Sequence, residues 1–267
     1  MAYAGFPVHW RINMKQEAVV VQQFGSTAAA YATSSVHAQG ADLQALRAYA
    51  AEMVQPRVLD LGCGAGHASF AVAPCALAVT AYDLSVQMLD VVRHGATERG
   101  LANIATAHGM AERLPFADAS FELVVTRFSA HHWMDVGAAL AEVRRVLTPG
   151  GRAVLIDIVA PETPLHDTTL QAVELLRDAS HVRDYRVTEW LAMLERAGFE
   201  AACRSAWKLE MRFDEWVARM RTPAERIVAI RSLFDSAPEE TSAYFAVQDD
   251  YSFAIDAALF VASAAPL

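Results

Sequence analysis

Asp60, Gly62, Gly64 and Gly66 stand at every second position of the stretch VLDLGCGAGHASF, and Asp83 follows seventeen residues past the last of these glycines, in AYDLS. Glycines in that pattern let a ligand lie against the main chain where a Cβ would stand in the way. A dinucleotide loop requires G-x-G-x-x-G, and His67 occupies the place of its third glycine. The carboxylate of Asp60 opposes a pyrophosphate and suits a ligand with a cationic amino group. The loop therefore favours an adenosyl ligand without phosphates. Asp83 can accept hydrogen bonds from both ribose hydroxyls. It can also cap the helix that begins in DLSVQML; with the glycine loop upstream, the ribose role is the expected one.

A second group of residues could move or hold a proton. His131 and His132, in SAHHW, would act as a base on a phenol, an amine or an activated carbon. Alternatively, one of them caps or packs the next helix. Asp157, in VLIDIVAP, reads as facing the same sheet edge or as anchoring the segment after it. His166, and the trio His181, Arg183 and Tyr185 in SHVRDY, offer donors suited to a carboxylate or phenol, or simply a solvated loop. Trp207, Phe213, Trp216 and Phe234 have the spacing of core aromatics. Cys63, Cys75 and Cys203 show no CxxC spacing and no nearby pair of histidines at ligand spacing, so they read as reduced thiols and no metal site is expected.

These residues need elements to position them. From residue 57 strands and helices alternate, which predicts a parallel sheet with crossover helices. RVLDL, ALAVTAYDLS, NIATAHGM, FELVVTRFSA and RAVLIDIVAP read as strands, with helices in SVQMLDVVRHGATERGL and VGAALAEVRRVLTPGG. DLQALRAYAAEM is a helical lead-in. LHDTTLQAVELLRDASHVRDY is an inserted helix and loop, TEWLAMLERAGF feeds a sixth strand in EAACRSAWKLEMRF, and YSFAIDAALFVASA is a final strand at the sheet edge. The first thirteen residues fit no element, and Met14 is a candidate start. The expected organisation is an unstructured extension over residues 1–21 and a single domain over 22–267, with cap insertions at about 160–187 and 214–247.

The 267 residues are 54% hydrophobic, enough for a sizeable core, yet no apolar run approaches a membrane span. A cytoplasmic protein without a membrane span is the expectation. The net charge of −9 argues against a nucleic-acid partner.

The segments VLDLGCGAG, AYDLS, GMAERLPFADASFELVV and EVRRVLTPGGRAVLID, in this order, resemble the class I S-adenosylmethionine-dependent methyltransferases. Within them the chain is similar to the small-molecule branch that includes the quinone-biosynthesis C-methyltransferases (methyltransferase type 11-like). The resemblance covers about residues 22 to 160. It implies an α/β, doubly wound, Rossmann-like seven-stranded sheet whose last strand is antiparallel, with a mainly helical cap. It implies S-adenosyl-L-methionine as cofactor and S-adenosyl-L-homocysteine as product. By position, Gly62, Cys63, Gly64 and Gly66 would lie against the methionyl part, Asp60 would meet its amino group, and Asp83 would hold the ribose. Leu84 and Met88 would flank the adenine, and Met110, Ala111 and Glu112 would meet its edge. Many relatives carry aspartate where Met110 stands, which leaves the acceptor for the adenine amino group unassigned. Arg127 and Phe128 would line the floor near the methyl group. Tyr31 reads equally as the tyrosine that folds over the cofactor in relatives or as a helix-packing aromatic.

The resulting expectation is in-line methyl transfer to a small-molecule acceptor by a monomer or homodimer. A cofactor-binding regulatory protein without transfer, or a nucleic-acid or protein methyltransferase, are the alternatives. Base-modifying enzymes carry an Asn/Asp-Pro-Pro-aromatic motif after the fourth strand, and TRFSAHH has no proline there. A nicotinamide oxidoreductase is the weakest reading, because His67 breaks its fingerprint.

Overall fold

The computed structural model describes residues 15–24 in full, the backbone alone over 25–32, and residues 40–264. In chain order its elements are α1 (Gln16–Ala32), α2 (Ala41–Ala51), β1 (Arg57–Leu61), α3 (His67–Val72), β2 (Ala78–Asp83), α4 (Val86–Glu98), β3 (Ile104–His108), β4 (Phe121–Arg127), α5 (Val136–Val146) and β5 (Leu147–Ala160). Then follow α6 (Pro164–Arg177), the two-residue β6 (Tyr185–Arg186), α7 (Val187–Arg196), β7 (Phe199–Met211), α8 (Phe213–Arg219), α9 (Ala224–Asp235), α10 (Glu239–Tyr244) and β8 (Phe253–Ala264).

The strands form one sheet in the order β3-β2-β1-β4-β5-β8-β7, with β6 beside β5. The pairs β1–β2, β1–β4, β2–β3 and β4–β5 are parallel, and β8 runs antiparallel to both neighbours. This is the doubly wound sheet with its antiparallel last strand. The chain moves outward from β1 to β3 and then returns to place β4 on the other side of β1. Such a reversal leaves a crevice at the carboxyl ends of the two central strands, where ligands of open α/β sheets bind.

Successive residues of the central strands feed opposite cores, as the two-residue period of a strand requires. Leu59, Val124, Leu155 and Phe260 pack with Leu140 and Val143 of α5 and Trp190 and Leu194 of α7. Val58, Leu123, Val125, Val154, Ile156 and Val261 pack on the other face with Leu46 and Ala50 of α2 and Val72 of α3. A third core builds the cap: Phe213, Trp216, Ile230, Phe234 and Phe245 from α8 to α10 close over Ile158, Phe253 and Ile255 at the strand ends.

Three boundaries differ from the sequence reading. The expected division at residues 21 and 22 falls inside α1, which starts at Gln16. The Pro149-Gly150-Gly151 segment, placed by the sequence reading at the end of the helical stretch VGAALAEVRRVLTPGG, lies within β5, where the ladder with β4 shifts register between Phe121 and Leu123. The final strand, expected at the edge, sits between β5 and β7. Its composition explains this: β8 is buried along almost its whole length, whereas β7 exposes Glu200, Arg204, Lys208 and Glu210. Charged residues on an exposed strand are what keeps a sheet edge from pairing with another chain.

The core placement of β8 is testable. Phe260 is fully buried against Trp190, with ring centroids 5.6 Å apart. Phe260→Ala is expected to cost about 3–5 kcal/mol in denaturant unfolding, and the exposed Glu200→Ala on β7 less than about 0.5 kcal/mol. Equal losses at the two positions would contradict the central position of β8.

Candidate functional site

The loop between β1 and α3 lies at the crevice, and its glycines are required for different reasons. Gly62 has φ +70°, and a Cβ there would fall 1.8 Å from Ser129 Oγ. Gly64 has φ +49°, yet a Cβ there would meet no atom within 4 Å. The second space belongs to a cavity of about 630 Å³ that Gly64 lines. Gly66, at φ +88°, is the N-cap of α3.

Asp83 fixes this loop to the next one. Its Oδ2 accepts the Gly64 N–H at 2.8 Å and its Oδ1 accepts the Ser85 N–H at 2.8 Å. The helix cap is Ser85, whose Oγ accepts the Met88 N–H at 3.3 Å, so capping does not account for Asp83. Each of its oxygens keeps a second lone pair. Burial pushes its carboxyl upward in pKa, against the two backbone donors.

Asp60 is 1% exposed, with Oδ2 accepting the Ser69 hydroxyl at 2.6 Å and Oδ1 buried at the cavity wall with no hydrogen-bond donor from the protein. Burial raises its pKa to about 6, with the Ser69 bond opposing. Cys63 is buried beside these two carboxyls. Burial, then the charges of Asp83 and Asp60, hold its thiol well above the usual range, so it is inert.

Leu84, Met88, Met110, Ala111 and Glu112 line the same part of the cavity. Met110 is held through its carbonyl, which accepts the Tyr82 hydroxyl at 3.2 Å. Glu112 Oε1 accepts the Met134 N–H at 2.9 Å and so ties this wall to the start of α5. Arg145 of α5 steadies the same connection from below, donating to the carbonyls of Leu114 at 3.0 Å and Phe116 at 2.8 Å. Arg127 lines the floor with its Nε 2.5 Å from Asp42 Oδ2 on α2, and its guanidinium lies 4.7 Å from the Phe128 ring centroid. Phe128 itself is held at φ +52°, a left-handed conformation that non-glycine residues adopt uncommonly. The side chain of Tyr31 lies outside the described residues.

At the other end His131 and His132 line the cavity, with ring centroids 4.2 Å apart. His131 Nδ1 is 2.6 Å from Asp157 Oδ1, and Asp157 is fixed by the N–H groups of Ala130 at 2.8 Å and Ile158 at 2.9 Å. Burial pulls the His131 ring down in pKa, but the charge and hydrogen bond of Asp157 outweigh it and leave it raised to about 9. His132 is pushed down to about 4 by burial and then by the charge on His131. Its Nδ1 lies 3.2 Å from the Ser180 carbonyl, which can only accept. Nδ1 therefore carries the proton and Nε2 keeps its lone pair.

Five residues expected around a substrate do not line the cavity. His166 packs on Tyr244, with ring centroids 4.4 Å apart. His181 is buried behind the wall, its Nε2 3.1 Å from Gln171 Oε1, with burial holding it at about 2. Arg183 turns to Asp167 at 3.1 Å and Glu189 at 3.7 Å, while Tyr185 packs edge-on against Trp190. Asp157 stands behind His131 rather than at the wall. The loop from 178 to 184 is stitched to His131 by the N–H groups of Val182 at 2.8 Å and Arg183 at 3.2 Å. That register turns Asp184, not its neighbours, toward the cavity. The cap supplies Glu174, Arg177, Asp184, Trp216 and Arg219 to the lining instead, and β7 adds Trp207. Helical spacing in the sequence marked the aromatics among them only as core. Trp216 is indeed 1% exposed, yet one side of it borders the cavity. Among the described residues no cluster of histidine, cysteine and carboxylate side chains has a metal-binding arrangement, and no helix is long and apolar enough to cross a membrane.

Comparison with known proteins agrees with this architecture. Residues 59–155 match the family described as "Methyltransferase domain". The uncharacterized protein YafE of Escherichia coli is 49% identical over 195 residues, covering 73% of this chain and 94% of that protein. A demethylmenaquinone methyltransferase of Chlorobaculum parvum is 39% identical over 113 residues, 42% of this chain and 44% of that one. The crystal structure of the Bacillus subtilis YcgJ protein superposes with a TM-score of 0.81 at 34% identity, covering 85% of this chain and 99% of that one. YcgJ is a methyltransferase by name and 36% identical over 224 residues, 84% of this chain and 88% of that protein. With the switch-point cavity, the glycine loop and these relatives in agreement, the chain belongs to the S-adenosylmethionine-dependent methyltransferases.

Proposed function

We propose that the glycine-loop half of the cavity binds S-adenosyl-L-methionine and that the cap half holds a small-molecule methyl acceptor. The observation that carries this is the pair of carboxyls at the crevice. Asp60 Oδ1 is buried without a donor, which an ammonium group of the ligand would supply. Asp83 keeps lone pairs for two hydroxyls beside the open space over Gly64. Apolar Met88 and Leu84 give an adenine its flanks. A cavity of about 630 Å³ has room for a cofactor and a small partner.

When bound, the sulfonium would supply an activated methyl group that passes in line to the acceptor's nucleophilic atom as the neutral thioether leaves. The protein's part is to hold that atom within about 3–3.5 Å of the carbon and exclude water. Phe128, Trp207 and Trp216 do the excluding. The histidine pair divides two tasks between rings. His131, protonated at neutral pH, stabilises negative charge on the acceptor, whereas His132, neutral with a free Nε2, is the group able to take a proton. A base at His131, one of the two residues expected in that role, does not suit its charge.

Calorimetric titration with S-adenosylmethionine, S-adenosylhomocysteine and NADH tests the reading: the two adenosyl ligands should bind and NADH should not. Asp83→Ala should weaken adenosyl binding roughly 10- to 100-fold through the loss of bonds to a charged acceptor. Gly64→Val should abolish it while the far-ultraviolet circular dichroism stays native. Unchanged affinity in either variant would exclude the loop as the site. Adenosyl affinity should also fall as the pH drops below about 6, where Asp60 takes up a proton, and Asp60→Asn should bind weakly with a flatter pH profile.

The histidine pair makes a separate prediction. The raised folded-state pKa of His131 means that its ion pair contributes full stability below about pH 6.5. That contribution is lost as the pH rises through about 9. Unfolding midpoints measured across that window should decline in the wild type and decline less in Asp157→Asn. Imidazole proton resonances should show His131 charged and His132 neutral at pH 7, and the reverse assignment would overturn the division of roles.

A further inference from the structure

Among the described residues, two carboxyl oxygens are buried without any hydrogen-bond donor: Asp60 Oδ1 and Asp184 Oδ2. Both residues line the cavity, one in each half. An unpaired buried polar atom is costly, and a chain that keeps one at a cavity wall keeps it for something that enters. The first is answered by the ammonium of the adenosyl ligand. The second has no partner in that reading.

Asp184 is 1% exposed and rigidly presented. Its N–H donates to Gln171 Oε1 at 3.2 Å and its carbonyl accepts Gln171 Nε2 at 2.8 Å, so the backbone is clamped while the carboxyl stays unanswered. The other carboxylates of this end are already satisfied. Asp157 has His131 and two N–H groups, Asp178 has the N–H and hydroxyl of Ser180 at 2.8 and 2.6 Å, and Glu174 has Arg177 at 3.2 Å. His181 Nε2 lies 3.8 Å from Asp184 Oδ2, beyond hydrogen-bond reach, and is engaged by Gln171.

We infer that Asp184, beside His131, is the recognition carboxyl for the methyl acceptor, and that Oδ2 pairs with an uncharged hydroxyl of a compound whose apolar body lies against Phe128, Trp207 and Trp216. The inference rests on the reading that the other half of the cavity holds the adenosyl ligand. A hydroxyl fits where an ammonium does not. The imidazolium of His131, held by Asp157, already supplies positive charge to this end. Burial also pushes the Asp184 carboxyl well up in pKa, so its neutral form both donates to and accepts from a hydroxyl. The carboxyl also discriminates: an acceptor lacking the hydroxyl would leave Oδ2 buried and unpaired.

Three probes built on one tolyl ring separate the outcomes: p-cresol, 4-methylanisole and 4-methylbenzylamine, titrated by saturation-transfer NMR into wild type, Asp184→Asn and Asp184→Leu, each saturated with S-adenosylhomocysteine. In the wild type p-cresol should bind at least about tenfold more tightly than the anisole, one bidirectional hydrogen bond's worth. That preference should shrink in Asp184→Asn and vanish in Asp184→Leu. Both variants should bind S-adenosylhomocysteine as the wild type does, with thermal midpoints equal or higher, because each removes a buried ionisable carboxyl that the fold leaves unpaired.

Equal binding of p-cresol and the anisole in the wild type would overturn the inference, as would a preference that survives Asp184→Leu. Tightest binding of the benzylamine would assign the subsite to cationic acceptors instead. A lowered midpoint in Asp184→Asn and Asp184→Leu would return the carboxyl to a structural role. Failure of the wild type to take S-adenosylhomocysteine would defeat the cofactor reading alone, and the same probes on the unliganded protein would still decide the role of Asp184.

Discussion

The site depends on the Asp83 carboxylate and the two backbone N–H groups it accepts. The bond to Gly64 sets the loop after β1, and the bond to Ser85 sets the start of α4 after β2. These are the two connections that border the crevice on its β2 side. Because the bonds use one lone pair of each oxygen, Asp83 organises the loops while still presenting acceptors to the cavity. The same group thus shapes the walls and meets what lies between them. The energetic strain is visible in its raised pKa: the carboxylate is buried enough to be pushed upward even with two donors upon it.

A similar tension recurs along the cavity wall. Most buried ionisable groups here are answered within the protein. Asp42 meets Arg127, Asp157 meets His131, and Glu174 meets Arg177. Breaking such pairs leaves an uncompensated buried charge, so they hold the wall in one arrangement. The unanswered oxygens of Asp60 and Asp184 are the exceptions, and they lie toward opposite ends of one space. A fold optimised for stability alone would pair or replace them, so each leaves an acceptor open that the protein itself does not use.

The sheet and the glycine loop were legible in the sequence because local chemistry alone determines them. A buried strand ending in D-x-G-x-G-x-G has few other backbone solutions, and strands alternating with helices impose a switch point. The position of β8 was less legible. A long apolar strand can occupy either a sheet centre or a covered edge, and the answer lies in β7, whose charged residues make it the edge. The cap was least legible. SHVRDY contains four polar residues within five positions, and which of them faces the cavity depends on two hydrogen bonds to the His131 carbonyl, a contact between segments about fifty residues apart. Helical spacing likewise placed Trp216 in a core, which is true of most of its surface and silent about the side that borders the cavity.

Adjacent histidines near an active centre invite a symmetric reading, and their partners break that symmetry. His131 shares its Nδ1 proton with a carboxylate, which favours the charged ring, whereas His132 meets the Ser180 carbonyl, a neutral dipole that fixes a tautomer without stabilising a charge to the same degree. With ring centroids 4.2 Å apart, the proton that settles on His131 then excludes a second from His132. The carboxylate behind the wall thus fixes the charge of His131, and burial together with that charge keeps His132 neutral. The result is a positive group and a neutral acceptor side by side, made from two copies of one residue type.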